Sequence, residues 1–182
     1  MLMTAELPRA FPLTHGDVWR DPISGVAIPK ELIPHLEWRR DLLGEADQSP
    51  AMQQCLNALC ASSCLLWINA FAWTYRVLEV DELGHQKPVP GERAYVPFNT
   101  WPVQDAAVLK LVKNIEEGRS LCVDKSRDMG ASWLILAVFM WFWIYRKESR
   151  FLLVSRKEDL VDKPGSANAM FWKLDEMLKR LP

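Results

Sequence analysis

The chain has 182 residues, 49% hydrophobic and 25% charged, the proportions of one globular domain or of a domain with an appendage. Its 22 Lys and Arg nearly balance 23 Asp and Glu, leaving a net charge of −1, so there is no bulk electrostatic footprint for nucleic acid and any DNA contact would come from a local patch. Pro8, Pro12 and interspersed charges are not the pattern of a secretory signal peptide, and the apolar run 131–145 is short of the roughly 20 residues that a bilayer helix needs, so no membrane partner is expected.

Residues 1–50 carry Pro8, Pro12, Pro22, Pro29, Pro34 and Pro50, which predict an irregular arm with one short helix around 37–43. Leu56, Leu59, Cys60, Leu66, Ala70 and Trp73 fall near helical spacing and predict helix over 52–77. Gly84, Pro88, Pro90 and Gly91 then mark a boundary loop over 81–93, closing a helical subdomain that begins at residue 51. Cys55, Cys60 and Cys64 have C-x4-C-x3-C spacing with no His near enough to complete a zinc set. With Cys122 they read as reduced cysteines packed as small apolar residues, in keeping with a cytosolic protein. Nine Trp in this length suggest large aromatic packing surfaces or interfaces.

From residue 94 the pattern is α/β. Tyr95-Val96-Pro97-Phe98 enters a turn, Thr100 can cap, and Pro102 suits a first helical turn. Ala107, Leu109, Leu111, Val112 and Ile115 mark an amphipathic helix ended by Gly118. Leu121-Cys122-Val123 predicts a buried strand, residues 134–145 a buried helix, and Phe151-Leu152-Leu153-Val154 a second strand. Met170, Phe171, Leu174, Met177 and Leu178 form a final helical stripe after a loop at Gly165. Two apolar strands joined by a buried helix predict parallel pairing with a right-handed crossover. If the sheet stopped there, its open edge and apolar faces would favour aggregation.

Between the first strand and the buried helix lies Lys125-Ser126-Arg127-Asp128-Met129-Gly130-Ala131-Ser132-Trp133. Strand, tight polar loop, Gly, hydroxyl and helix follow in the order of a phosphate-binding loop, whose backbone N–H groups and helix N-terminus make an anion site. Against G-x-x-x-x-G-K-[ST], Lys125 stands at the first Gly and Ala131 at the Lys, so the cation sits at the opposite end of the loop. Gly130 would let the backbone approach phosphate, and Ser132 would offer its hydroxyl to Mg²⁺; the alternative for both is a simple helix cap. Lys125 is alternatively a solvated loop lysine, and Arg127 an ion-pair partner of Asp124 or Asp128.

The segment 124–133 resembles the Walker A loop of tailed-phage terminase large subunits, the DNA-packaging motors, which move the lysine to the front of the loop and carry an arginine within it. Phe98-Asn99-Thr100-Trp101-Pro102-Val103-Gln104-Asp105 resembles that family's upstream adenine motif. Ser155-Arg156-Lys157-Glu158-Asp159-Leu160-Val161-Asp162-Lys163, with Phe171-Trp172-Lys173-Leu174 and Leu181-Pro182, resembles the stretch after its second strand. The resemblance implies an α/β, RecA-like (ASCE) P-loop NTPase core over 94–182, incomplete and preceded by a mainly helical amino-terminal region. It implies ATP and Mg²⁺ as cofactors, held by Lys125, Ser126, Arg127, Asp128, Met129, Gly130, Ala131 and Ser132. Gln104 would read an adenine edge, with Phe98 or Trp101 as apolar wall, and Arg127 would reach the γ-phosphate. Arg156 and Lys157 stand where related motors meet DNA or a neighbouring subunit, and otherwise form a solvated cluster.

The acids that would hold Mg²⁺ have two candidate places, Val80-Asp81-Glu82 and Leu174-Asp175-Glu176. The first lies upstream of the loop and the second on the polar face of the last helix, so neither fits, and the nuclease acids are missing too. The expectation is an amino-terminal part of a terminase large subunit that binds nucleotide weakly and does not hydrolyse it. Its partners would be double-stranded DNA, the small terminase subunit and the portal, in the host bacterial cytoplasm, with oligomers only in the full-length protein. The competing readings are a helicase-like DNA-dependent ATPase and a catalytically empty interaction module.

Overall fold

A computed structural model describes residues 18–75, 79–80, 86–87, 95–125 and 129–182. In chain order the elements are β1 (Val18–Arg20), β2 (Ala27–Pro29), α1 (Leu32–Gln48), α2 (Pro50–Ser62), α3 (Cys64–Phe71), β3 (Trp73–Tyr75), β4 (Glu79–Val80), β5 (Gln86–Lys87), β6 (Tyr95–Pro97), α4 (Pro102–Glu116), α5 (Ala131–Tyr145) and α6 (Met170–Leu178). The chain thus mixes helices with short strands, α/β at a coarse level.

Of the irregular arm expected over 1–50, residues 1–17 with Pro8 and Pro12 lie outside the described residues, and residues 18–50 are more regular than their prolines suggest. β1 and β2 pair antiparallel, with Val18 opposite Pro29, around a turn in which the Asp21 carboxylate accepts from Ser24 N–H at 3.0 Å. The short helix predicted over 37–43 is the middle of the 17-residue α1. Pro34 is its third residue, a first-turn position whose N–H would have no helical partner, so the proline starts the helix and does not break it. Trp38, Leu42 and Ala46 of α1 enter the core with Ile28 of β2.

The helix predicted over 52–77 divides in two. Ser49 caps α2, accepting from Met52 N–H at 3.4 Å, and Ser63 caps α3, accepting from Leu66 N–H at 3.1 Å. Ser63 has extended backbone (φ −124°, ψ 109°), so a new helix starts there. What was expected as its last turns is β3, paired antiparallel with β6. β4 and β5 form a two-residue ladder inside and beside the expected boundary loop, of which 81–85 and 88–93 lie outside the described residues.

α3 is the centre of the core. Leu65, Leu66 and Ile68 are fully buried, and the helix packs on α1, α2, α4 and α5. Each such side chain contributes about 1.5–3 kcal/mol by burial. Trp141 of α5 is buried as well, and its indole N–H donates to the Cys60 carbonyl at 2.7 Å. Cys60 and Cys64 lie in this core as expected, with burial pushing both thiols up, whereas Cys122 is exposed.

The predicted parallel pair is absent among the described residues. All three described ladders are antiparallel, and neither Leu121-Cys122-Val123 nor Phe151-Leu152-Leu153-Val154 joins one. Val123 is 50% exposed, Leu152 85% and Val154 77%. The second segment rests on α5 instead, Phe151 stacking on Phe139 with ring centroids 4.1 Å apart. A helix has spent its backbone hydrogen bonds internally and offers no ladder, so an apolar run laid against it has no strand to pair with. α5 is apolar all round, yet Trp143 and Ile144 near its C-terminal end are exposed, so it is not covered on every side. Among the described residues no helix is long and apolar enough to cross a membrane.

Candidate nucleotide site

The upstream motif is built on α4. Its N-cap is Trp101, one residue later than the predicted Thr100. Gln104, third in the helix, turns its Oε1 back to accept from Trp101 N–H at 2.9 Å, the return half of a capping box. Its Nε2 donates to the Met129 carbonyl at 3.0 Å. Two segments expected to share a site, 25 residues apart in sequence, are therefore in contact. Gln104 is only 7% exposed and both ends of its amide are engaged by the protein, so it clamps the loop before it could read a base. Phe98 is buried in the core, while Trp101 is exposed and leaves an aromatic face free beside Gln104.

Gly130 follows Met129 and caps α5 with φ +69°. That left-handed conformation disfavours a side chain, and a Cβ there would also meet Gln104 Nε2 at 3.1 Å. α5 begins next: Leu134 N–H bonds the Gly130 carbonyl at 3.0 Å, so the N–H groups of Ala131, Ser132 and Trp133 precede that first bond. Ala131 is half-buried; Ser132, second in the helix, is exposed, as is Lys125 before the loop. Helix N–H groups and a hydroxyl suit a polyphosphate by their chemistry, and Lys125 is the nearest described cation before them in sequence. Ser126, Arg127 and Asp128 lie outside the described residues.

Behind α4 lies a buried polar cluster that the sequence reading missed. Lys30, between β2 and α1, places its Nζ 2.9 Å from both oxygens of Asp105. The same ammonium donates to the Thr100 carbonyl at 3.0 Å and reaches Thr100 Oγ1 at 3.1 Å. Asn69 of α3 donates to Thr100 Oγ1 at 2.9 Å, and its Oδ1 accepts from Thr100 N–H at 3.3 Å. Burial pushes the Lys30 ammonium down, and Asp105 works against that shift. No local signal joins two residues 75 apart; only Asp105 in the first turn of α4, where the helix dipole favours an acid, was visible.

His35 lies nearby in α1, fully buried. Burial, with Arg39 and Lys30 adding to it, pushes it down to about 4, so the ring is neutral and its Nδ1–H donates to the Pro29 carbonyl at 3.1 Å. Beside the first turn of α5, Lys173 of α6 is 8% exposed and pushed down to about 8 by burial, its Nζ 5.8 Å from the ring centre of Trp133.

Of the acids considered for a metal, Asp175 is exposed, and Asp81 and Glu82 lie outside the described residues. Glu176 is not on a polar face as expected; it is 8% exposed. Burial acts to raise its carboxyl, yet hydrogen bonds from Lys179, Tyr95 and Arg180 hold it below the usual range. Among the described residues no cluster of three His, Cys, Asp or Glu side chains could hold a metal ion. Arg156 and Lys157 are both exposed. No family model matches the chain, and no curated protein or solved structure matches it either.

Proposed function

We propose that this chain is the nucleotide-binding part of a viral DNA-packaging motor of the terminase large-subunit type, taking ATP with Mg²⁺. The observation that carries the reading is the hydrogen bond from Gln104 Nε2 to Met129, which joins the adenine motif to the phosphate loop. Gly130 at the head of α5 and the exposed Ser132 support it. In this reading Lys125 and the first-turn N–H groups of α5 hold the polyphosphate, Arg127 meets its terminal group, Ser132 faces the metal, and Trp101 covers the base. The metal supplies charge neutralisation on the phosphates when bound. In this reading the chain binds without turnover, and the engagement of Glu176 by three donors is in keeping with that. Double-stranded DNA, the small terminase subunit and the portal are the partners of the whole motor, in the host cytoplasm.

Calorimetric titration with Mg-ATP tests the proposal. Binding weakened about tenfold by Lys125→Ala, as expected when one charge-assisted contact is lost, supports it. No heat from the wild type, or affinity indifferent to Lys125, refutes it. A second reading, an interaction module for the small subunit or portal, is favoured by the exposed Trp143, Leu152 and Val154. It requires capture of one of those two proteins to survive Lys125→Ala and to be lost in Leu152→Lys.

A further inference from the structure

We infer that Lys30 is a positioning residue for the loop end and the head of α5 at 129–134, acting through the first turn of α4. The ammonium holds Thr100 and Asp105, the residues on either side of the Trp101–Gln104 turn. Within that turn Gln104 is tied to Trp101, and its other end is tied to Met129, one residue before the head of α5. The contacts form one continuous line: Lys30, Asp105 and Thr100, then the α4 first turn, Gln104, Met129 and Gly130. A second contact fixes the base of the line, since Asn99 Nδ2 donates to the Lys30 carbonyl at 2.7 Å.

Removing the ammonium leaves Thr100 still held by Asn69. It leaves Asp105, 2% exposed, with no cation on either oxygen and with the Thr100 hydroxyl on Oδ1 as its remaining donor. A buried carboxylate without its cation turns toward water or takes up a proton, and in this helix it carries the adjoining Gln104 with it. The amino-terminal hairpin and α1 therefore do more than pack against the core: through Lys30 they set how tightly the loop is held. The nucleotide arm of the test below rests on the function proposed above; the loop arm does not.

Hydrogen exchange of the Leu134 amide, which bonds the Gly130 carbonyl, reads the effect directly, in the full chain without nucleotide. Lys30→Met is expected to speed its exchange about tenfold, as a local opening would, while the α3 amides stay protected and Lys30→Arg restores the wild-type rate. Gln104→Ala should loosen the same amide, and adding Lys30→Met to it should change it less than about twofold, because both act on one line of contacts. If Lys30→Met fails to fold, Asp105→Asn takes its place and should loosen the same amide. Unchanged exchange at Leu134 in the folded variant, or effects of the two substitutions that multiply, overturns the inference. With Mg-ATP, Lys30→Met and Gln104→Ala should weaken binding by the same factor. A wild type that binds no ATP sinks the functional reading alone, and unequal factors in a chain that does bind sink the coupling.

Discussion

Asn69 and Leu152 stand at opposite extremes of this molecule. Around Asn69, α1, α3, α4 and the β2 connection enclose a core in which polar groups find partners: Asn69 bonds Thr100 and Leu65, Thr100 bonds Lys30, and Lys30 pairs with Asp105. Around Leu152, an apolar run rests on the core through Phe151 and the half-buried Leu153 and shows water most of its other two side chains. One side is settled by packing and hydrogen bonds together. The other has hydrophobic side chains but no backbone partners, and hydrophobicity without a ladder does not make a strand. The candidate loop lies between the two, tied by Gln104 to the settled side and followed by the helix whose far end faces the open one.

The largest test of this contrast is a pair of truncations. Trp141→Ala should cost about 3–5 kcal/mol, through a lost ring, a cavity and an unpaired Cys60 carbonyl. Leu152→Ala should change stability by less than about 0.5 kcal/mol. Urea unfolding of both variants checks this, and a comparable loss from Leu152 would mean that the run is packed after all.

Next in size, Lys30→Met should cost about 3–5 kcal/mol because it strands a buried carboxylate, whereas the double variant Lys30→Met with Asp105→Leu should recover much of that. Thermal unfolding separates the two outcomes.

A pH titration sharpens the same side. His35 titrates near 4 in the folded chain against an ordinary value near 6.5, so protons favour the unfolded state. Its contribution is fully present above about pH 6.5 and is lost as pH falls toward 4, by up to about 1.4 kcal/mol per unit. Stability measured against pH should fall less steeply in that window for His35→Gln than for the wild type.

The smallest effect sits at the loop. Gly130→Ala should cost about 1–2 kcal/mol for its left-handed backbone. Part of the cost should disappear when Gln104 is also Ala, since Nε2 is what the new Cβ meets.

How far the sequence carried can be told from the same residues. α4 and α6 were legible because period and punctuation agree: Gly118 ends α4 with φ +64°, and the Met170–Leu178 stripe is α6, whereas α5 was legible from the length of its apolar run. Gly130 was legible as the residue before a helix, and its contact with Gln104 gives that loop a neighbour. The strands at 121–123 and 151–154 were misread because a short apolar run fixes no secondary structure until something pairs with it. Ser63 hid a helix boundary inside a helical pattern. Lys30 and Asp105 were invisible as a pair, since only the folded chain brings residues that far apart together. Asp175 and Glu176 both looked like a helix's polar face; Asp175 is exposed and Glu176 is buried.

The most direct test of the proposed site is hydrogen exchange at Ala131, Ser132 and Trp133 with and without saturating Mg-ATP. These amides head α5, and slowed exchange there, lost in Lys125→Ala, is the predicted result. Unchanged exchange at all three while nucleotide is bound elsewhere on the chain would contradict the account.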